Sequence, residues 1–166
     1  MPLSDGDRKL ISAFRDAFER KYAGDARFSG VVREDRPDES YLTSRFAVAD
    51  RVWLEMTIRP FIPQVRAGIV TDDRWRNEDF EERIEETGDT MSEFVELGFD
   101  EAGLEWPNPP VEHFRESGKY FCFLTPFEVG SLSELNGPAG ERLRGVFEGY
   151  YEAFRRAIEK MKVAAE

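Results

Sequence analysis

The fold is decided by residues 52–70, which read VWLEMTIRPFIPQVRAGIV. Apolar and polar residues alternate on both sides of the central turn, and this period of two is typical of half-buried strands. Pro60 and Pro63 favour a turn, because proline lacks the amide needed for strand pairing. Pairing Arg59 with Gln64 places all the apolar side chains on one face, and a shift by one residue would bring Arg66 to that face. The sequence therefore predicts a well-registered antiparallel hairpin.

The preceding segment extends this hairpin into a three-stranded meander. A three-residue loop over residues 49–51 pairs Val48 with Val52 and leaves the same face apolar. On the other face it pairs Arg45 with Glu55, and such pairs of opposite charge across strands contribute about 0.2–1 kcal/mol each. The remaining predicted pairs are Phe46 with Leu54, Leu42 with Ile58, Thr43 with Thr57, Tyr41 with Arg59, Ile58 with Val65, Met56 with Ala67, and Leu54 with Ile69.

Helical periodicity flanks the meander on both sides. A first helix is capped by Ser4, carries an apolar stripe over residues 10–22 and stops at Gly24. Residues 74–97 form either one helix kinked at Gly88 or two short ones, and residues 119–127 form a strand that is apolar on both faces. A long helix over 138–162 follows a second capping sequence at 131–134. Residues 33–39 are expected to be an exposed loop. Residues 98–117 contain a proline-rich loop at 106–110, and the sequence leaves open whether this stretch is one ordered loop or contains short elements. The chain is thus expected to be one α+β domain over residues 1–166, in which an antiparallel meander packs against an N-terminal, a middle and a long C-terminal helix.

Charge and composition exclude several classes of partner. The formal charge of −11 repels phosphate backbones and anionic lipid surfaces, so neither nucleic acid nor membrane is an expected partner. The lone Cys122 gives no disulfide, and the first residues lack the pattern of a signal peptide. We therefore expect a cytoplasmic protein.

No set of catalytic or metal-binding residues emerges from the sequence. His113 is the single histidine, and no spacing joins it to Cys122 or a serine as a nucleophile and base. Zinc sites draw on several Cys or His, and nucleotide-binding glycine loops are also missing, so we expect no cofactor, no metal and no catalytic residue. The alternative is a small-molecule enzyme with a pocket between a curved sheet and the helices, using Glu55 or Asp72 as a base.

The polar face of the meander is the candidate binding site. The predicted register gathers five large side chains there, together with Gln64: Tyr41, Arg45, Trp53, Arg59 and Arg66. Trp and Arg dominate the energetics of protein interfaces, and the arginines outnumber Glu55, so an acidic protein segment is the expected ligand. The alternative is a solvated face with Trp53 half covered. The covering element is either the loop 98–117 or another polypeptide, which includes a second copy in a homodimer.

The order of elements resembles that of the type III secretion chaperone-like fold and of the bacterial YbjN-type family of regulators. The segments that carry this resemblance are the stripe from Leu10 to Tyr22, the meander from Tyr41 to Val70, the strand from Tyr120 to Phe127 and the stripe from Leu143 to Met161. The resemblance implies a non-catalytic adaptor that binds protein segments, often as a dimer. The irregular stretch 98–117 departs from that pattern.

Overall fold

The computed structural model describes residues 2–165 and confirms the α+β class, with helices on one side of a single antiparallel sheet. The sheet has six strands in the order β1-β2-β3-β4-β6-β5. The elements follow the chain as α1 (Asp5–Tyr22), β1 (Val31–Asp35), β2 (Leu42–Ala49), β3 (Val52–Arg59), β4 (Gln64–Thr71), α2 (Arg74–Thr87), α3 (Met91–Glu101), β5 (Glu112–Glu116), β6 (Tyr120–Glu128), a 3-10 turn (Leu132–Asn136) and α4 (Pro138–Ala165).

The register of the central hairpin is confirmed along its whole length. Arg59 pairs with Gln64, and Ile58, Met56 and Leu54 lie opposite their predicted partners on β4. The pairs of β2 with β3 also agree from Leu42 to Phe46, but the turn differs. Ala49, and not Val48, pairs with Val52, so the turn contains two residues and Val48 is the extra residue of a bulge. The bulge absorbs the odd residue, and so both valines remain buried on the apolar face.

The edge strands of the sheet lie in two stretches for which the sequence predicts no strand. Residues 31–35 form β1, although Arg33, Glu34 and Asp35 gave this stretch the composition of a loop. Residues 112–116, within the stretch 98–117 whose structure the sequence leaves open, form β5, which pairs with β6. Short, charged edge strands are common because they discourage further strand addition.

Local signals explain most helix boundaries. The Ser4 hydroxyl accepts a hydrogen bond from the Asp7 amide and so starts α1. Gly88 adopts a left-handed conformation that ends α2, and Thr90 opens α3 with a capping box, so the middle helical region is two helices. Ser131 makes no side-chain capping bond, and the predicted capping sequence there forms a 3-10 turn before α4.

The core lies between the sheet and α4. Phe147 and Phe154 are fully buried, as the stripe on α4 predicts. The Phe154 ring lies 5.1 Å from those of Phe80 and Phe94, and the Phe147 ring lies 5.0 Å from that of Phe18. All the buried apolar side chains of the four helices belong to this one cluster. None of the helices in the described range is long and apolar enough to cross a membrane.

Candidate functional site: the open face of the sheet

The face of the sheet opposite the helices carries its own layer of large side chains, which we call the open face. Its apolar cluster is formed by strand residues alone. Strand parity brings four residues of the predicted binding site to this face: Arg45, Trp53, Arg59 and Arg66. The fifth, Tyr41, immediately precedes β2 and packs against Arg59 and Arg66 on the same face. The other members used below are Glu34, Glu55, Thr57, Gly68, Phe114, Glu116, Tyr120 and Cys122.

Glu55 is the centre of an ion-pair network on this face. Its carboxylate is fully buried and accepts hydrogen bonds from Arg45 Nε at 3.3 Å and from the Thr57 hydroxyl at 2.7 Å. Arg66 Nη2 lies 3.6 Å from the same carboxylate. The strand register creates this arrangement, because Glu55 lies directly opposite Arg45 on β2, while Arg66 lies opposite Thr57 on β4.

The edge strands complete the network with two more carboxylates. Glu34 on β1 forms an ion pair with Arg45 and accepts a hydrogen bond from the Tyr120 hydroxyl at 3.1 Å. Glu116 on β5 accepts a hydrogen bond from Arg66 Nη2 at 2.6 Å and lies 4.0 Å from Arg45. The network therefore crosses the sheet from one edge strand, β1, to the other, β5.

Arg45 and Arg66 are 5% and 6% exposed, which corrects the expectation that they are free to meet a ligand. Burial disfavours the charged form of each, but attraction to the carboxylates outweighs that cost, and the pKa of both guanidinium groups is raised. Each of them is therefore a fixed structural cation. The predicted excess of arginine charge at the centre of the face is neutralised by Glu34 and Glu116, which lie on the two strands that sequence patterns did not reveal.

Gly68 has no side chain, which leaves room for the neighbouring side chains of the open face. It stands opposite Glu55 on one side and Leu124 on the other. A Cβ atom here would come within 1.9 Å of the Phe123 carbonyl oxygen and 2.7 Å of the Leu124 side chain. Any larger residue would separate β4 from β6 and displace the layer above them.

Aromatic rings form the rest of the open face. Trp53 is half-buried, and its ring meets that of Tyr120 edge-on at 6.1 Å. The Arg45 guanidinium lies 4.0 Å from the centre of the Tyr120 ring, and Phe114 packs against the small apolar cluster. The layer thus covers itself: its aromatic rings and guanidinium groups bury Val70 and Cys122 although no helix lies above them.

Tyr41 marks a more basic end of the open face. The guanidinium carbons of Arg36, Arg59 and Arg66 lie 3.7, 4.4 and 5.3 Å from the centre of its ring. Arg59 donates a hydrogen bond to the Gln64 side chain at 3.2 Å. Arg36 precedes β2 and was not identified from the sequence, because it falls in a stretch that reads as a solvated loop.

The segment between α3 and β5 does not cover the open face. Trp106 packs on Phe99 of α3 and on Phe127, both members of the helix-side core, and Arg142 of α4 lies 3.8 Å from the centre of its ring. The stretch 98–117, considered as a covering for Trp53, reaches the open face through β5, where Phe114 and Glu116 join the edge of the layer.

Neither carboxylate considered as a base lies between the sheet and the helices. Glu55 is on the open face, and Asp72 accepts a hydrogen bond from Arg51 at 2.9 Å. The groove between α2 and α4, of about 340 Å³, is lined by neither of them. Burial raises the pKa of the Cys122 thiol, so it is held in its unreactive form.

His113 lies on the helix side of β5, where neighbouring residues hold its ring in place. Its ring stacks on Phe123 at 3.8 Å, Nδ1 lies 2.9 Å from the Cys122 carbonyl oxygen and Nε2 lies 3.2 Å from the Glu81 carboxylate. Within residues 2–165 there is no group of three His, Cys, Asp or Glu side chains that could hold a metal ion.

Comparison of the chain with models of protein families, with curated proteins and with solved structures gives no match in any of the three.

Proposed function

We propose that the chain is a non-catalytic adaptor that binds a segment of another protein on the open face of its sheet. The observation that carries the proposal is the composition of that face. In the described chain the helices lie on one side of the six-stranded sheet, and the other side presents four partly exposed large side chains: Tyr41, Trp53, Arg59 and Phe114. These residue types are enriched at the centres of protein interfaces.

The state of the polar groups supports binding over catalysis. Glu55 is enclosed by Arg45 and Thr57, and the Cys122 thiol is buried. A general base or nucleophile must reach its substrate, and neither group reaches the surface. What the face offers a ligand is therefore shape and polarity.

The rigidity of the layer also favours binding. Arg45 and Tyr120 are each held by two or more partners before any ligand arrives. Ordering a free side chain on binding costs about 0.5–1.5 kcal/mol, and a layer that is already ordered avoids most of this cost. Preorganised aromatic side chains are suited to an extended segment that lies across the strands.

The likeness in element order to the type III secretion chaperone-like fold and the YbjN-type family implies a role of the same kind. The present chain adds two edge strands and a second middle helix to that order. As further parts of the proposal, we place the protein in the cytoplasm, in keeping with its charge of −11, and we name a homodimer as a second way of covering the face.

The experiment uses two tryptophans that differ in position. A library of displayed linear peptides is selected against the full chain, and the recovered peptides are tested on Trp53→Ala and on Trp75→Ala. Trp75 lies at the start of α2 and is 68% exposed, so it is the matched control away from the open face. We expect binding to weaken about tenfold or more with Trp53→Ala, as for an aromatic residue at the centre of an interface, and to be unchanged with Trp75→Ala.

Thermal melting and light scattering accompany the selection. Melting verifies that Trp53→Ala is folded at the assay temperature, and light scattering measures the mass of the wild type. Recovered peptides that bind both variants equally would contradict the proposal. A dimer that dissociates with Trp53→Ala would identify a second copy as the occupant and would exclude a segment of another protein.

A further inference from the structure

Charge is distributed unevenly along the open face. Arg45 at its centre is surrounded by Glu34, Glu55 and Glu116. At the Tyr41 end, Arg66 alone has carboxylate partners among residues 2–165. Arg36 and Arg59 have no carboxylate within 4.0 Å in the described part of the chain.

Hydrogen-bond donors at this end also lack acceptors. The Nε atoms of Arg59 and Arg66 are buried and have no hydrogen-bond partner among residues 2–165. Arg66 is 6% exposed, and Arg59 donates to the neutral Gln64 amide, its one side-chain acceptor in the described part of the chain. Buried guanidinium donors normally have acceptors, and the described residues supply none to these two Nε atoms.

The nearby acidic side chains do not form ion pairs with Arg36 or Arg59. The Asp38 carboxylate accepts hydrogen bonds from the amide and hydroxyl of Ser40, and it makes no ion pair within 4.0 Å in the described chain. Glu128, opposite Gln64 at the end of β6, is exposed and is likewise without an ion pair among these residues. A negative group supplied from outside would therefore meet two guanidinium groups that form no ion pair within 4.0 Å in the described chain.

We propose that Arg36 and Arg59, stacked about Tyr41 and supported by Arg66, bind an Asp or Glu side chain of the segment that the open face recognises. This inference rests on the proposed function and names the chemistry of the partner at one position. A carboxylate suits the site because its two oxygens match the paired donors of a guanidinium group. Arginines stacked on an aromatic ring are also held in one orientation, which favours such paired contacts.

The test compares peptides selected by different variants from the same displayed library. We expect the wild type to select peptides enriched in Asp or Glu at one position. Arg36→Glu combined with Arg59→Glu should replace that preference by Lys or Arg. Arg20→Glu combined with Arg74→Glu changes the total charge equally on exposed helix positions and should keep the preference for acids.

A defined peptide then measures the contact itself. The selected sequence is synthesised with Glu and with Gln at the enriched position, and its binding is measured by calorimetry. Gln should weaken binding to the wild type about tenfold and should make little difference for Arg36→Gln combined with Arg59→Gln. Arg36→Gln alone changes an exposed side chain and should give part of the effect, which keeps the test valid if the double variant folds poorly.

The outcomes separate the two proposals. Peptides that depend on Trp53 but show no acidic position, or that keep it in the Arg36→Glu and Arg59→Glu variant, would overturn the carboxylate site and leave the adaptor role standing. Failure to recover any peptide that depends on Trp53 would overturn both.

Discussion

Replacing Glu55 by glutamine tests whether the ion-pair network holds the sheet together. Glutamine preserves the volume and can still accept a hydrogen bond from Thr57, so the change removes the charge and little else. Arg45 and Arg66 would then face each other across a neutral group, with Glu34 and Glu116 as their remaining carboxylates.

The magnitude follows from burial. Removing one partner of a buried ion pair typically costs about 3–5 kcal/mol, because the other partner is left as an uncompensated charge. Since Glu116 still compensates Arg66, and Glu34 still compensates Arg45, we expect the lower end, about 3 kcal/mol. For a chain of this size that corresponds to a fall of about 6–12 °C in the melting temperature.

The assay is urea unfolding at neutral pH followed by tryptophan fluorescence, with calorimetric melting as a second measurement. Glu34→Gln is the matched control, because Glu34 pairs with the same Arg45 but its side chain is 56% exposed. Exposed ion pairs contribute about 0–1 kcal/mol, so this variant should be nearly as stable as the wild type. Equal losses of stability in the two variants would refute the reasoning, since burial would then make no difference to how much the charge contributes to the free energy of unfolding.

Three further changes test other parts of the structure. Phe154→Ala should lower the free energy of unfolding by about 3–5 kcal/mol, because it removes a fully buried ring from the centre of the core, and an unchanged urea midpoint would contradict the docking of α4. Gly98→Ala should lower the free energy of unfolding by about 1–3 kcal/mol, since the new Cβ atom would come within 2.3 Å of an α4 carbonyl oxygen. Gly6→Ala, at an exposed position of α1, is the control and should be neutral or stabilising; calorimetry measures both variants. Burial raises the pKa of Asp35, but the hydrogen bonds and charge of Arg15, the Thr43 amide and the charge of Arg33 together lower it by more, and the net pKa lies below its usual value. The stability contributed by the ionised Asp35 carboxylate is fully present at pH values above the pKa of this group in the unfolded chain. It is lost as the pH falls through the lower pKa of the group in the folded protein. Asp35→Asn should therefore be less stable than the wild type at neutral pH, and urea titrations should show the difference shrinking below about pH 4. A constant difference down to pH 2 would exclude this linkage.

The register of the central strands was predictable because only one register places all their apolar side chains on the same face of the sheet. Arg66 and Ile69 could not share a face without burying a charge under the helices, so the register followed from alternation alone. The bulge at Val48 was not predictable in the same way. A three-residue loop and a two-residue turn with a bulge leave the same side chains on the same faces, and the sequence does not distinguish them.

The site was predictable only in part, and for a physical reason. The side chains of β2, β3 and β4 were placed correctly on one face, but Glu34 and Glu116 come from edge strands whose charge resembles that of loops. A charged edge strand and a solvated loop have the same composition, since water lies on both. Without these two acids, Arg45 and Arg66 looked available, and their burial could not be foreseen.

The ion-pair network also has a consequence for how the chain folds. A sheet with two apolar faces could receive its helices on either side, and the two arrangements would compete. Here one face carries the Arg45, Glu55 and Arg66 charges at its middle, and a helix that docked there would remove water from the exposed Glu34 carboxylate beside them without replacing it. Once the strands have paired, α1 and α4 therefore have one side on which to dock, and the handedness of the domain is fixed by the side of the sheet on which its charges lie.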